Sequence, residues 1–184
     1  AGFSAGEAVN MTDLLYGAIL PSGADATVGL ALTISGSEGE FVKLMNKKAQ
    51  QLGLKNTHFV NSSGLFDQNH YTTPEDMAVI LRAAMQNDLC RKILSTYQYT
   101  TAPTPQHPDG ILLTSTLFSH MYGTEPEGAD ILGGKTGFVN ESGYCIASFG
   151  KSDGGTEYVC VTLGGNGLWP TVYDQFHLYE QYAK

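Results

Sequence analysis

A chain of 184 residues with 42% apolar and 15% charged side chains is long enough for one domain with a real core and too apolar to be disordered. Its 10 basic and 18 acidic residues give a formal charge of −8, which excludes a nucleic-acid partner, because phosphate binding needs clustered cations. No apolar run reaches the roughly 18 residues of a membrane span, and the opening AGFSAGEAVN has neither the basic start nor the apolar block of a signal peptide.

The N-terminal half is predicted helical. Thr12 can cap a short helix over DLLYGAIL, with Asp13 favourably placed in its first turn. Pro21, Ser22 and Gly23 interrupt it, and ADATVGLALTIS, rich in small residues, makes a second helix suited to close packing. A third runs from Ser37 to about Leu52, with Phe41, Leu44, Met45, Ala49 and Leu52 on one stripe and Gly53 as its C-terminal stop. Lys43, Lys47 and Lys48 on this helix read as a solvated face. A long polar loop over 56–72 ends at a clear helix start, with Thr73 as N-cap, Pro74 at the first helical position and Asp76 in the first turn. PEDMAVILRAAMQN and DLCRKILST follow as helices.

After Tyr97 the character changes. TYQYTTA reads as a strand, TAPTPQHPDG as a Pro-rich turn, ILLTSTLFSHMYG as an ordered piece and EPEGAD as a solvated loop. ILGGKTGF, ESGYCIASFG and TEYVCVTLGG alternate like strands, and KSDGG makes a hairpin turn between the second and third. The chain closes with an amphipathic helix over WPTVYDQFHLYEQYAK, expected to start at Pro170. A helical block followed by antiparallel strands and a terminal helix is an α+β arrangement. No linker divides it: residues 1–184 read as one domain, with a helical lobe over about 10–95 and a sheet with its helix over about 96–184.

Cys90, Cys145 and Cys160 show no metal-ligand spacing, and Cys145 and Cys160, both in apolar strands, leave a cross-strand disulfide open. His58, His70, His107, His120 and His177 fall at no metal spacing either, so neither metal nor cofactor is expected. His70, in the long loop, reads as a surface histidine.

Two short motifs carry the chemical interest. Lys135-Thr136-Gly137, preceded by Gly134, lies on a predicted strand, and Ser22-Gly23-Ala24 lies between two helices. Alone, the first is as readily a strand end exposing a lysine and the second a turn. The order DLLYGAILPSGADATVGLA, FVKLMNKKAQQLGLKNTHFVNSSGL, HYTTPEDMA and GGKTGFVNESGYCIAS changes this. Over nearly its whole length the chain resembles the D-alanyl-D-alanine carboxypeptidases, the low-molecular-mass penicillin-binding proteins.

The resemblance implies a β-lactamase/transpeptidase-like α+β fold, an antiparallel sheet flanked by helices beside a helical lobe. It also implies serine-type D,D-carboxypeptidase activity in peptidoglycan maturation, in the bacterial cell envelope outside the cytoplasm. The expected partners are a stem peptide ending in D-Ala-D-Ala and β-lactam antibiotics. By the same transfer, Lys135, Thr136 and Gly137 bind the substrate's terminal carboxylate and backbone, and Ser22 relays a proton near the nucleophile. Ala24 stands where the family typically has Asn, whose amide could donate to substrate.

The family's Ser-x-x-Lys motif puts nucleophile and base one helical turn apart. The one such spacing here is Ser148 to Lys151, at a strand end and after Lys-Thr-Gly, and it reads as chance. The first strands and the nucleophile helix are therefore expected to be missing from this chain, which is expected to be inactive alone; the missing segment is a candidate partner as a separate chain. Two alternatives stand beside the enzyme: a noncatalytic stem-peptide binder and a β-lactamase.

Overall fold

The computed structural model describes residues 1–121 and 123–184. Tyr122, in the run expected to be ordered after the Pro-rich turn, lies outside the described residues.

Helices α1 (Met11–Ile19), α2 (Ala24–Ser35), α3 (Glu38–Gln51), α4 (Pro74–Met85) and α5 (Asp88–Leu94) fill the first half. The cap of α1 is Asn10, whose side chain accepts from the Asp13 N–H; Thr12 is already helical. Asp13 does more than complement the helix dipole. Buried, its carboxylate accepts from Asn10 Nδ2 at 2.7 Å, the Tyr99 hydroxyl at 2.7 Å and the Ala102 N–H at 3.0 Å. That bond pushes the Tyr99 phenol up to about 12, and the ring stacks on Tyr16 at 3.8 Å. Leu14 and Ala18 of α1 meet Ala26 and Leu30 of α2, where small residues allow close approach.

Thr73 caps α4 as its sequence predicts, and Ser37, read as the start of the third helix, is the N-cap of α3. Leu52 closes α3, and Gly53 follows in the left-handed conformation at φ +76°. The α3 stripe is less buried than its periodicity implies: Ala49 is enclosed, whereas Phe41, Leu44, Met45 and Leu52 line a shallow apolar groove with Phe59 and Ile80. The loop between α3 and α4 is held by a bridge between His58 and Tyr71. His70 there is half-buried rather than at the surface, packed on Phe59 with Nδ1 accepting from the Val60 N–H at 3.2 Å.

A short antiparallel pair, β1 (Gln98–Thr100) and β2 (Leu112–Thr114), leads to α6 (Phe118–Met121). Strands β3 (Ala129–Val139), β4 (Gly143–Ser152) and β5 (Glu157–Gly165) then form an antiparallel sheet in the order β3-β4-β5. β3 begins two residues earlier than the loop reading of EPEGAD allows, because Ala129 pairs with Ser152 and Asp130 with Lys151. Helix α7 (Leu168–Tyr182) begins before Pro170, with Gly167 as N-cap.

The middle strand shows the two-residue side-chain period of a buried strand. Ile146 and Ser148 face α7, meeting Val172 and Phe176 in one case and Gln175 and Tyr179 in the other. Phe149 and Ala147 face the opposite way, against Leu81 of α4 and Leu94 of α5. Cys145 and Cys160 are not cross-strand partners, since Cys145 pairs with Gly137 and Cys160 with Ser148, and both are free thiols.

Candidate active site

β3 carries Lys135-Thr136-Gly137 along the outer side of the sheet, with Lys135 opposite Ala147 and Gly137 opposite Cys145 on β4. The two glycines before the lysine are packing requirements. A Cβ on Gly133 would lie 2.6 Å from the Leu94 carbonyl and 2.7 Å from the Phe149 ring. Gly134 has φ +154°, and a Cβ there would meet the Ala147 carbonyl oxygen at 2.4 Å. Gly137 differs. Among the described residues a Cβ would find only Cys145 Cβ, at 3.8 Å, so their packing does not demand glycine there.

Ser22 comes to this strand from the helical lobe. The α1–α2 connection is pinned by the Gly23 N–H donating to the Gly17 carbonyl at 3.0 Å and the Thr116 N–H donating to the Leu20 carbonyl at 2.9 Å. Between these anchors Ser22 adopts φ +63°, the one non-glycine residue with positive φ among those described. Such a conformation costs on the order of 1 kcal/mol or more and persists where its surroundings enforce it. It presents Oγ to the strand, where Lys135 Nζ donates to it at 2.8 Å.

Lys135 Nζ also donates to the Thr136 carbonyl at 2.6 Å. Among the described residues no carboxylate lies at ion-pair distance from this ammonium. Burial without a counter-charge disfavours the charged form and lowers its pKa to about 8. Thr136 Oγ1 and Thr116 Oγ1 share a hydrogen bond of 2.6 Å. A cavity of about 380 Å³ opens at this point. Ser22, Thr116, Thr136 and His120 give it polar groups, and Phe138, Tyr144, Ile146 and Leu168 line the rest.

The site therefore unites Ser22 with Lys135, Thr136 and Gly137, residues more than a hundred apart in sequence. An unpaired, partly desolvated ammonium beside hydroxyls suits a carboxylate, and the exposed strand offers backbone groups to an extended peptide. Sequence reasoning missed Thr116 and His120. Neither belongs to a spaced motif, and both reach the cavity through the irregular turn around α6. Ser148 is fully buried, donating to Gln175 Oε1 at 2.5 Å and bonded to the Tyr179 hydroxyl at 3.0 Å, whereas Lys151 is exposed. The two do not meet, as expected for side chains on opposite faces of a strand. No cluster of metal-ligating side chains occurs among the described residues.

A family profile described as D-alanyl-D-alanine carboxypeptidase matches residues 2–167. The chain is 35% identical over 161 residues to the D-alanyl-D-alanine carboxypeptidase DacF of Bacillus subtilis, covering 88% of this chain and 39% of that protein. It is 32% identical over 169 residues to a D-alanyl-D-alanine carboxypeptidase of Streptomyces sp. strain K15, covering 89% of this chain and 57% of that protein. Among solved structures, a mutant of the Streptomyces K15 DD-transpeptidase superposes with a TM-score of 0.83 at 27% identity, covering 98% of this chain and 71% of that one. The D-alanyl-D-alanine carboxypeptidase of Mycobacterium tuberculosis H37Rv gives a TM-score of 0.80 at 28% identity, with 95% and 65% covered. The chain thus spans about 39% of the length of its Bacillus relative.

Proposed function

The chain belongs to the D-alanyl-D-alanine carboxypeptidase family, and we propose on that basis that the whole protein is a serine D,D-carboxypeptidase acting on peptidoglycan stem peptides outside the cytoplasm. The observation that carries the reading is the Lys135–Ser22 contact at 2.8 Å beside a cavity also lined by Thr136. Residues 1–184 are read as part of one penicillin-binding domain, the helical lobe over about 10–95 and the sheet with α7 over about 96–184 together framing the site.

In this reading a serine and lysine outside residues 1–184 form the nucleophilic pair. The serine oxygen attacks the D-Ala-D-Ala carbonyl, its proton passes to base, and the C–N bond breaks as the leaving D-Ala amine takes a proton. Water then hydrolyses the acyl-enzyme, and penicillins acylate the same serine. Within this chain, Lys135 and Thr136 hold the substrate carboxylate, Gly137 leaves its backbone open to the peptide, and Ser22 relays the proton. Lys135 supplies local attraction for an anionic peptide that the net charge of −8 would otherwise repel.

One observation favours a second reading. Ala24, exposed at the start of α2, has no side-chain donor for a substrate amide, as a noncatalytic stem-peptide binder could tolerate. Release of D-Ala from an acylated peptide ending in D-Ala-D-Ala by the full-length protein separates the two. Catalytic release supports the enzyme; saturable binding without release supports the binder.

A further inference from the structure

His120 lines the same cavity as Thr136 and Ser22, yet no motif points to it. It lies one turn beyond Thr116, whose hydroxyl is bonded to that of Thr136. The imidazole packs edge-on against Trp169 at 6.3 Å and 81°, which fixes its plane against the start of α7. Its Nδ1 is enclosed and, among the described residues, has no hydrogen-bond partner. Buried polar atoms are rarely left unmet, and each such exception calls for a reason. In the neutral ring, a proton on Nε2 leaves a lone pair rather than an N–H group enclosed at Nδ1, which is the less costly orphan. Nε2 then carries the ring's one N–H donor.

We propose that His120 is a substrate-positioning residue, its Nε2–H donating to the terminal carboxylate of the peptide held at Lys135 and Thr136. The inference rests on the functional reading above and deepens it. A carboxylate has two oxygens and about four acceptor sites. Lys135 Nζ already spends two of its three donors on Ser22 and the Thr136 carbonyl, so its remaining donor and the Thr136 hydroxyl leave sites unfilled. A donor from the α6 side supplies another, while the aromatic wall of Phe138 and Tyr144, in contact at 4.4 Å, borders the apolar part of the cavity. His120 touches the substrate's binding group and not the scissile bond, so it acts on KM.

The test uses the full-length protein with His120→Phe, which keeps the contact with Trp169 but removes the donor, and His120→Gln, whose amide can place an N–H near Nε2. Each is assayed on a peptide ending in D-Ala-D-Ala and on the same peptide as its C-terminal carboxamide. A charge-assisted hydrogen bond predicts a KM increase of about tenfold for His120→Phe on the free acid, with kcat changed less than about threefold. His120→Gln should recover most of it, and the preference for acid over amide should shrink in His120→Phe alone. Equal losses on acid and amide, or a fall in kcat at unchanged KM, overturns the proposal. Lys135→Ala separates the layers: if it cripples turnover while His120→Phe does not, the functional reading stands and this inference falls. If neither matters, the reading itself fails.

Discussion

Lys135 Nζ and Ser22 Oγ lie 2.8 Å apart although 113 residues separate them in the chain. The contact joins a strained turn of the helical lobe to the outer strand of the sheet. Neither side could hold the arrangement alone, because Ser22 needs the anchored α1–α2 connection and Lys135 needs β3 seated on α5 through Gly133. The site is therefore a property of the packed lobes, and perturbing either should register in both structure and chemistry.

The depressed pKa of Lys135 gives a pH signature. The ammonium loses its proton near pH 8 in the folded protein, so kcat/KM for a carboxylate-ended peptide should fall as pH rises through about 8. Lys135→Arg keeps its charge across this range and should flatten that limb even where it lowers the rate. Stability should move oppositely. Between about 8 and 10.5 the unfolded chain holds a proton that the folded chain has released, so unfolding free energy should rise with pH in that window. Paired pH–rate and pH–stability profiles check both signs.

Asp13 should be a stability residue rather than a catalytic one. Asp13→Ala leaves the Tyr99 hydroxyl and the Ala102 N–H without their acceptor in a buried place, a loss of about 2–4 kcal/mol. Tyr99→Phe removes one partner and leaves two, so it should cost about 1 kcal/mol. Urea unfolding of the two variants measures the difference, and a Tyr99→Phe variant as stable as the wild type would show that the bond to Tyr99 contributes nothing.

The glycines around the motif should separate folding from binding. Gly134→Ala drives a Cβ to 2.4 Å from a backbone carbonyl at positive φ and should lower stability by more than about 2 kcal/mol. Gly137→Ala meets nothing closer than 3.8 Å among the described residues. It should fold normally yet weaken penicillin acylation of the full-length protein, because the methyl would enter the space proposed for the ligand. Thermal melts read with acylation rates decide it; a Gly137→Ala variant that acylates at the wild-type rate would remove Gly137 from the site.

Much of this architecture was legible beforehand where the chain's own local chemistry decides it. Thr73, Pro74 and Asp76 announce α4 because capping and proline geometry are local. The apolar alternation of β4 marks it as a strand, whereas its burial on both faces shows only in the packing against α7, α4 and α5. The resemblance supplied Ser22 and Lys135 as separate site residues, and their direct contact appears only in the structure. What stayed hidden depends on long-range partners. Asp13 looks like a helix-start carboxylate until Tyr99 and Ala102 arrive from the far side of the fold. His120 looks like a lone histidine until α6 turns it toward the cavity. The bulge between Tyr144 and Ile146 shifts the β4–β5 register there, and Cys160 pairs with Ser148, a detail no alternation pattern encodes.

Ser148 should never be the acylated residue. It is fully buried with its hydroxyl engaged by Gln175 and Tyr179, and Lys151 points away into solvent. Incubating the 184-residue chain with a fluorescent penicillin should give no stoichiometric label. A peptide map locating label on Ser148 would contradict the account of the sheet, and label on Ser22 would contradict its role as a relay.

The most direct test of the account is the effect of Lys135→Ala on D-Ala release by the full-length protein. Removing the cation proposed to face the substrate carboxylate should lower kcat/KM by about ten- to a hundredfold, the worth of a charge-assisted hydrogen bond. Lys135→Arg should lie between that variant and the wild type. Unchanged turnover in a folded Lys135→Ala protein would contradict the assignment of Lys135, Thr136 and Gly137 as the substrate-binding strand.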